Sequence, residues 1–205
     1  MSVSRVAVAV LLVLFLPAIL FAATEAQKQA AIDNGLAFLA ANQAGWGGWN
    51  QTGYPVADTG AVVLAFEGKG YLPGPTGYND VVRRGVEYIL SNGFMAPNGV
   101  SFGYGEESYV VGLAVPAIAK SGYAPGATYT GPGALSGMTY GAIVQSAVNR
   151  IAAGQNTPGF AGQSGGGWGY DLWFIRLNRS SIVSFVGIWF GSKELGGFRA
   201  SKCSQ

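Results

Sequence analysis

The 205-residue sequence contains no histidine and a single cysteine, and charged side chains make up only 11% of it. Without His there is no Ser-His-Asp or Cys-His nucleophile pair, no histidine proton shuttle and no histidine-ligated metal. One cysteine, Cys203 in the polar tail, excludes an intrachain disulfide framework, a CxxC redox pair and a Cys-rich zinc site. A formal net charge of +2, with Lys and Arg scattered along the chain, excludes a nucleic-acid footprint. No cofactor and no metal site are expected from these residues. What the chain has in quantity is Gly, at 33 residues, and aromatics, at 13%. The 49% hydrophobic fraction is that of a folded chain and not of a disordered one.

Arg5 is the first charge and Glu25 the next, with the apolar run Val6 to Ala23 between them. A basic start, an apolar centre and small residues at the boundary describe a secretory signal peptide, with cleavage expected after Ala22, Ala23 or Ala26. The alternative is an uncleaved anchor, because the run is just long enough to cross a bilayer. The expected location is outside the cell or in the periplasm, or, for an anchor, at the membrane surface. Residues 1–23 are thus expected as leader, 24–195 as one repeat domain and 196–205 as a polar tail.

An internal repeat sets the expected fold. The first copy runs Ala31 to Leu39, then Gln43, then Gly45-Trp46-Gly47-Gly48-Trp49. The second runs Val81 to Leu90, then Gly93, then Phe102-Gly103-Tyr104-Gly105. The third runs Ile143 to Ile151, then Gln155, then Gly165-Gly166-Gly167-Trp168-Gly169-Tyr170. Each opening stretch carries apolar residues at helical spacing: Ile32, Leu36 and Leu39; Val82, Val86 and Ile89; Val144, Val148 and Ile151.

A second, more apolar helix is expected after each turn. The first begins at Asp58 as N-cap and stops at Gly68 to Gly70; the next spans Glu106 to Lys120 with a kink at Pro116; the last spans Ser180 to Phe190. Period-two strand patterns are nearly absent. Helices apolar on all faces belong inside, and amphipathic ones bearing Asp33, Arg83, Arg84, Glu87 and Arg150 belong outside. The expected class is all-α: a partial α/α toroid of about three helical hairpins with Gly-rich turns.

Gly35, Phe38, Leu39, Gln43 and Gly47-Gly48-Trp49, with Gln155 and Gly166-Gly167-Trp168, resemble the repeat of the terpenoid cyclase and protein prenyltransferase superfamily. The resemblance covers most of residues 26–190. It implies an α/α toroid in which Gln43, Trp49, Gln155 and Trp168 tie hairpins together. It does not carry over the known chemistries. The cyclases' Asp-x-Asp-Asp acid cluster is absent from this sequence, the prenyltransferase zinc ligands cannot be assembled without His, and there is no internal Cys for a thioester.

The carboxylates that remain as acid candidates are Glu106, Glu107, Asp58 and Asp171, against the plainer roles of helix-dipole compensation and capping. The aromatic candidates for ligand contact are Trp46, Tyr104, Tyr109 and Trp173. The leading expectation is a binding domain for a hydrophobic or carbohydrate ligand, or for a partner chain. The alternatives are an active terpenoid cyclase or lyase using a carboxylate acid, and a structural envelope or scaffold module. About three hairpins fall short of a closed ring and leave apolar inner faces at both ends. A gene fragment, or completion of the ring by self-association or a partner chain, is therefore expected.

Overall fold

The computed structural model describes residues 23–103, 105–155 and 167–168. Residues 1–22 of the expected leader, the helix expected over Ser180 to Phe190 and the expected tail lie outside the described residues. The chain divides into two compact units, residues 1–43 and 44–205.

In the first unit, helix α1 spans Glu25–Ala41. Its N-terminus is closed by a reciprocal capping box: the Gln27 amide donates to Thr24 Oγ1 (3.2 Å) and the Thr24 amide to Gln27 Oε1 (2.9 Å). Of the apolar stripe expected on this helix, Leu36 is buried, Leu39 half-buried and Ile32 exposed.

The second unit holds α2 (Pro55–Glu67), α3 (Gly77–Ser91), the strands β1 (Phe94–Ala96) and β2 (Gly99–Ser101), α4 (Glu107–Lys120) and α5 (Tyr140–Ala153). The described residues are mostly helical, as the composition of the repeats predicts. The antiparallel β1–β2 hairpin is a correction to the strand-free expectation. Pro97 and Asn98 form its turn, and Asn98 takes φ 69°, a corner Asn tolerates. Strands this short leave no periodic trace in a sequence. The hairpin lies on α5, where Gly99 passes so close to the Ser146 carbonyl that a Cβ would sit 2.1 Å from it. The Val100 amide donates to Ser146 Oγ at 3.1 Å.

Helix α2 starts earlier than expected. Pro55 takes the first turn, where its missing N–H costs nothing, and Asp58 sits inside the helix and not at its cap. Nine of its 13 residues are buried. Helix α3 buries one stripe, Val81, Val82, Gly85, Val86, Ile89 and Leu90, and turns its charges outward. Among the described residues the α2–α4 pair makes the most extensive helix packing. Tyr54 meets Tyr109 edge-on at 6.0 Å at one end, and Gly60 lies against the Leu113 carbonyl in the middle. At the far end Lys120 acts electrostatically on Glu67. The two buried helices therefore run parallel. On the other side of α2, Gly85 of α3 faces Val63 so closely that a Cβ would come within 2.5 Å of it.

Gly60 has no room for a side chain, because its Cβ would meet backbone at 2.8 Å, and backbone cannot swing aside. Gly60→Ala is expected to destabilise the domain by about 1–3 kcal/mol, the cost of overpacking. Gly112→Ala meets nothing within 4 Å on α4. It is expected to stabilise by up to about 1 kcal/mol through helix propensity. Urea midpoints at unchanged slope measure both.

Candidate functional site

Glu107 opens α4 and is almost fully buried, at 1% exposure. The reason is Arg150, which comes from the last turn of α5 and is 3% exposed. Arg150 Nη2 donates to Glu107 Oε2 at 2.7 Å, Nε donates to Oε1, and Nη1 donates to the Pro97 carbonyl. This fork-to-fork pair ties α4, α5 and the β-hairpin turn together. Arg150 is thus a buried ion-pair partner and not the outer-face charge expected of it. Both Glu107 oxygens are taken up by Arg150, in a structural tie away from open space.

The other acid candidates are also engaged locally. Asp58 accepts from the amides of Gln51 (2.7 Å) and Thr52 (2.9 Å) and from Thr52 Oγ1 (2.8 Å), so it folds the loop ahead of α2 back onto the helix. Glu106 stands at the N-cap of α4 in the left-handed region, φ 46°, with no capping bond from its side chain. It accepts from the Tyr54 hydroxyl, which raises the Tyr54 pKa. Asp171 lies outside the described residues, as do Tyr104 and Trp173. Tyr109 is exposed and rests against Tyr54.

Glu67 is the buried acid that the sequence reading missed. It ends α2 at 7% exposure, and neither carboxylate oxygen has a hydrogen-bond partner among the described residues. Burial pushes its pKa up to about 8, against the pull of the Lys120 charge. A chain position at a helix end gives no hint of this, because terminal Glu residues are usually solvated. Among the described residues, no group of three or more Cys, Asp or Glu could hold a metal ion.

The residues that do converge on open space lie along α3. A pocket of about 600 Å³ is bounded by the 45–47 turn, the outward face of α3, the 129–132 loop and Tyr140. Its first wall comes from the Gly-rich turn. Gly47 takes φ +97° against the Arg84 carbonyl, and Gly48 fits between Thr59 and the rings of Trp46 and Tyr88. Trp49 is buried, with its amide donating to Thr59 Oγ1 at 3.1 Å. Trp46 is thereby left outside at 49% exposure, its ring 4.4 Å from that of Tyr88. One motif therefore supplies both an internal anchor and a pocket wall.

The opposite wall is tyrosine. Tyr140 stacks on Tyr123 at 4.4 Å and meets Tyr129 edge-on at 6.2 Å. Tyr129 donates its hydroxyl to the Pro132 carbonyl at 2.8 Å, and Gly133, φ +103°, lies against the Ser91 carbonyl. Desolvation raises the pKa of Tyr88 and Tyr140, and that of Tyr129 to about 12, with the Glu87 carboxylate adding to the last two. These hydroxyls stay protonated at neutral pH; that of Tyr129 is spent on Pro132, and those of Tyr88 and Tyr140 can donate.

The floor carries charge. Arg83 uses Nε and Nη2 on Asp80 and Nη1 on both Glu87 oxygens (2.9 and 2.8 Å). Arg84 reaches Asp80 Oδ2 through Nε at 3.0 Å. The two arginines hold the Asp80 carboxyl below its ordinary range. Of the sequence candidates for ligand contact, the structure brings Trp46 into this pocket. Of the repeat residues, Trp168 donates Nε1 to the Ile151 carbonyl at 2.9 Å, and Gln155 is fully buried at the end of α5.

No protein-family model, curated protein or solved structure matches the chain.

Arg150→Met leaves Glu107 buried and uncompensated and is expected to cost about 3–5 kcal/mol. The double variant with Glu107→Gln is expected to cost less than the sum of the two single variants, which chemical denaturation of all three measures. Glu67 gives a pH signature. Unfolded, it loses its proton near 4.5; folded, near 8. The fold binds the extra proton between those values, so stability falls as pH rises through that window, by at most about 1.4 kcal/mol per unit. In Glu67→Gln that slope is expected to vanish, with the gain largest at the alkaline end.

Proposed function

We propose that the chain is an exported binding module that takes a saccharide ligand in the α3 pocket. The observation that carries the reading is the composition of that pocket: Trp46, Tyr88, Tyr129 and Tyr140 around a floor of paired charges. Apolar ring faces with interspersed fixed donors and acceptors suit a sugar, whose C–H faces are apolar and whose edge is hydroxyl. A terpenoid hydrocarbon would strip water from Arg84 and Glu87 and return nothing for it.

The parallel, buried α2 and α4 support a toroid-like repeat of the terpenoid cyclase and prenyltransferase kind. So does the Gly-Gly-Trp turn that docks between α2 and α3. Export through the apolar leader, ending at Ala23, would leave the Thr24–Gln27 capping box intact. A cyclase has less in its favour. Glu67 has the proton such an enzyme needs, but among the described residues the carboxylate lining the pocket is Glu87, already held by Arg83.

Tryptophan fluorescence and calorimetry with a panel of oligosaccharides test the reading. Saccharide binding is expected to quench Trp46 emission, and Trp46→Ala to weaken binding by about 2 kcal/mol, roughly thirtyfold. Absence of binding across the panel, or cyclic products from squalene, would overturn it.

A further inference from the structure

The arginines of α3 differ in what they leave open. Arg83 uses all its nitrogens on Asp80 and Glu87. Arg84, beside it, uses Nε alone, so its two terminal amino groups make no hydrogen bond among the described residues. Those amino groups belong to a side chain that is one-third exposed and lines the pocket next to Tyr88 and Trp46. The Asp80 contact fixes the guanidinium plane, and the 45–47 turn lies against the Arg84 backbone. A planar fork with one edge anchored and the other free matches a carboxylate, which it binds through two parallel N–H···O bonds.

The surrounding charges limit what that anion can be. Asp80, Arg83, Arg84 and Glu87 sum to zero, and both Glu87 oxygens are occupied by Arg83. The pocket therefore has no surplus of positive charge for a polyanion such as a diphosphate, and the unused Arg84 edge offers one bidentate place for a single carboxylate. The rest of its lining is the rings of Trp46, Tyr88, Tyr129 and Tyr140 with small and hydroxyl residues between them.

We infer that the preferred ligand is an acidic saccharide, whose ring carboxylate pairs with the free edge of Arg84 while the sugar face lies on Trp46. This rests on the saccharide reading above and deepens it. It assigns Arg84 as the residue that tells acidic from neutral sugars, and Trp46 as the one that does not.

The test compares oligogalacturonate and oligoglucuronate with their methyl esters, which keep the ring and its hydroxyls but lose the charge. Calorimetry on the full chain is expected to show at least one free acid binding about tenfold or more tighter than its ester. Arg84→Gln is expected to abolish the acid's advantage, so that acid and ester bind the variant with equal affinity. Arg84→Lys, which keeps the charge and loses the fork, is expected to keep part of that advantage. Trp46→Ala is expected to weaken acid and ester alike. Equal binding of acids and esters by the unaltered protein, or an acid preference that survives Arg84→Gln, overturns the inference and leaves the saccharide reading standing. Failure of both acids and esters to bind, alongside binding of neutral gluco-oligosaccharides, also overturns the inference alone. Failure of every saccharide overturns both.

Discussion

Everything in residues 44–155 depends on how closely α2 can be approached. Gly60 lets the backbone of α4 come to contact distance on one side, and Gly85 lets α2 side chains reach the backbone of α3 on the other. Helices normally sit 8–10 Å apart because side chains hold them off. Two glycines, one on α2 and one on α3, remove that spacing where it matters. The result is a buried helix whose own side chains, Val63 and Phe66 among them, lose all contact with water. The outer stripe of α3 is then fixed relative to the Gly-rich turn, because Gly47, Gly48 and Trp49 dock against the same two helices. The pocket is therefore a consequence of the core: its Trp46 wall and its Arg84 floor are set by one packing event.

The buried charges show two different ways of living with desolvation. Glu107 meets two parallel donors from Arg150, and that pair fastens α4 to α5 across a sequence distance no local pattern spans. Such a pair adds little net stability over an apolar substitute, but it penalises any arrangement that separates the two. Glu67 has no such donor and keeps its proton instead. The same side chain is thus paired with an arginine at one end of the helix pair and a neutral acid at the other. Neither state follows from the residue type; both follow from whether an arginine is within reach.

This is also where reading the sequence reaches its limit. The helices were legible because their signals are local: apolar spacing at Val82, Val86 and Ile89, glycine stops at Gly68 and Gly122, and the apolar run of α4. The β-hairpin was not, since strands of this length have no period to detect. Asp58 reads as a cap because it precedes an apolar stretch, yet Pro55 starts the helix sooner and turns that carboxylate into a loop anchor. Arg150 reads as a solvated charge because its partner is 43 residues away. In the pocket, Trp46 could be singled out from the Gly-Trp-Gly-Gly-Trp motif. Arg84, Tyr129 and Tyr140 could not, because only the tertiary fold brings their segments together.

The division of labour within that motif bears on function as much as on fold. Two tryptophans three positions apart sit in the same turn, and burying both would have been the stronger choice for stability. Trp49 is buried and Trp46 is half exposed, held by contact with Tyr88 and not by enclosure. An exposed indole keeps apolar area in water, an expense of about 25 cal/mol for each Å² left uncovered. A ring held in that position, facing tyrosines whose hydroxyls remain protonated and an arginine with a free edge, has the makings of a recognition surface. A sugar would cover the ring without stripping the charges beneath it, which is the condition a hydrocarbon fails.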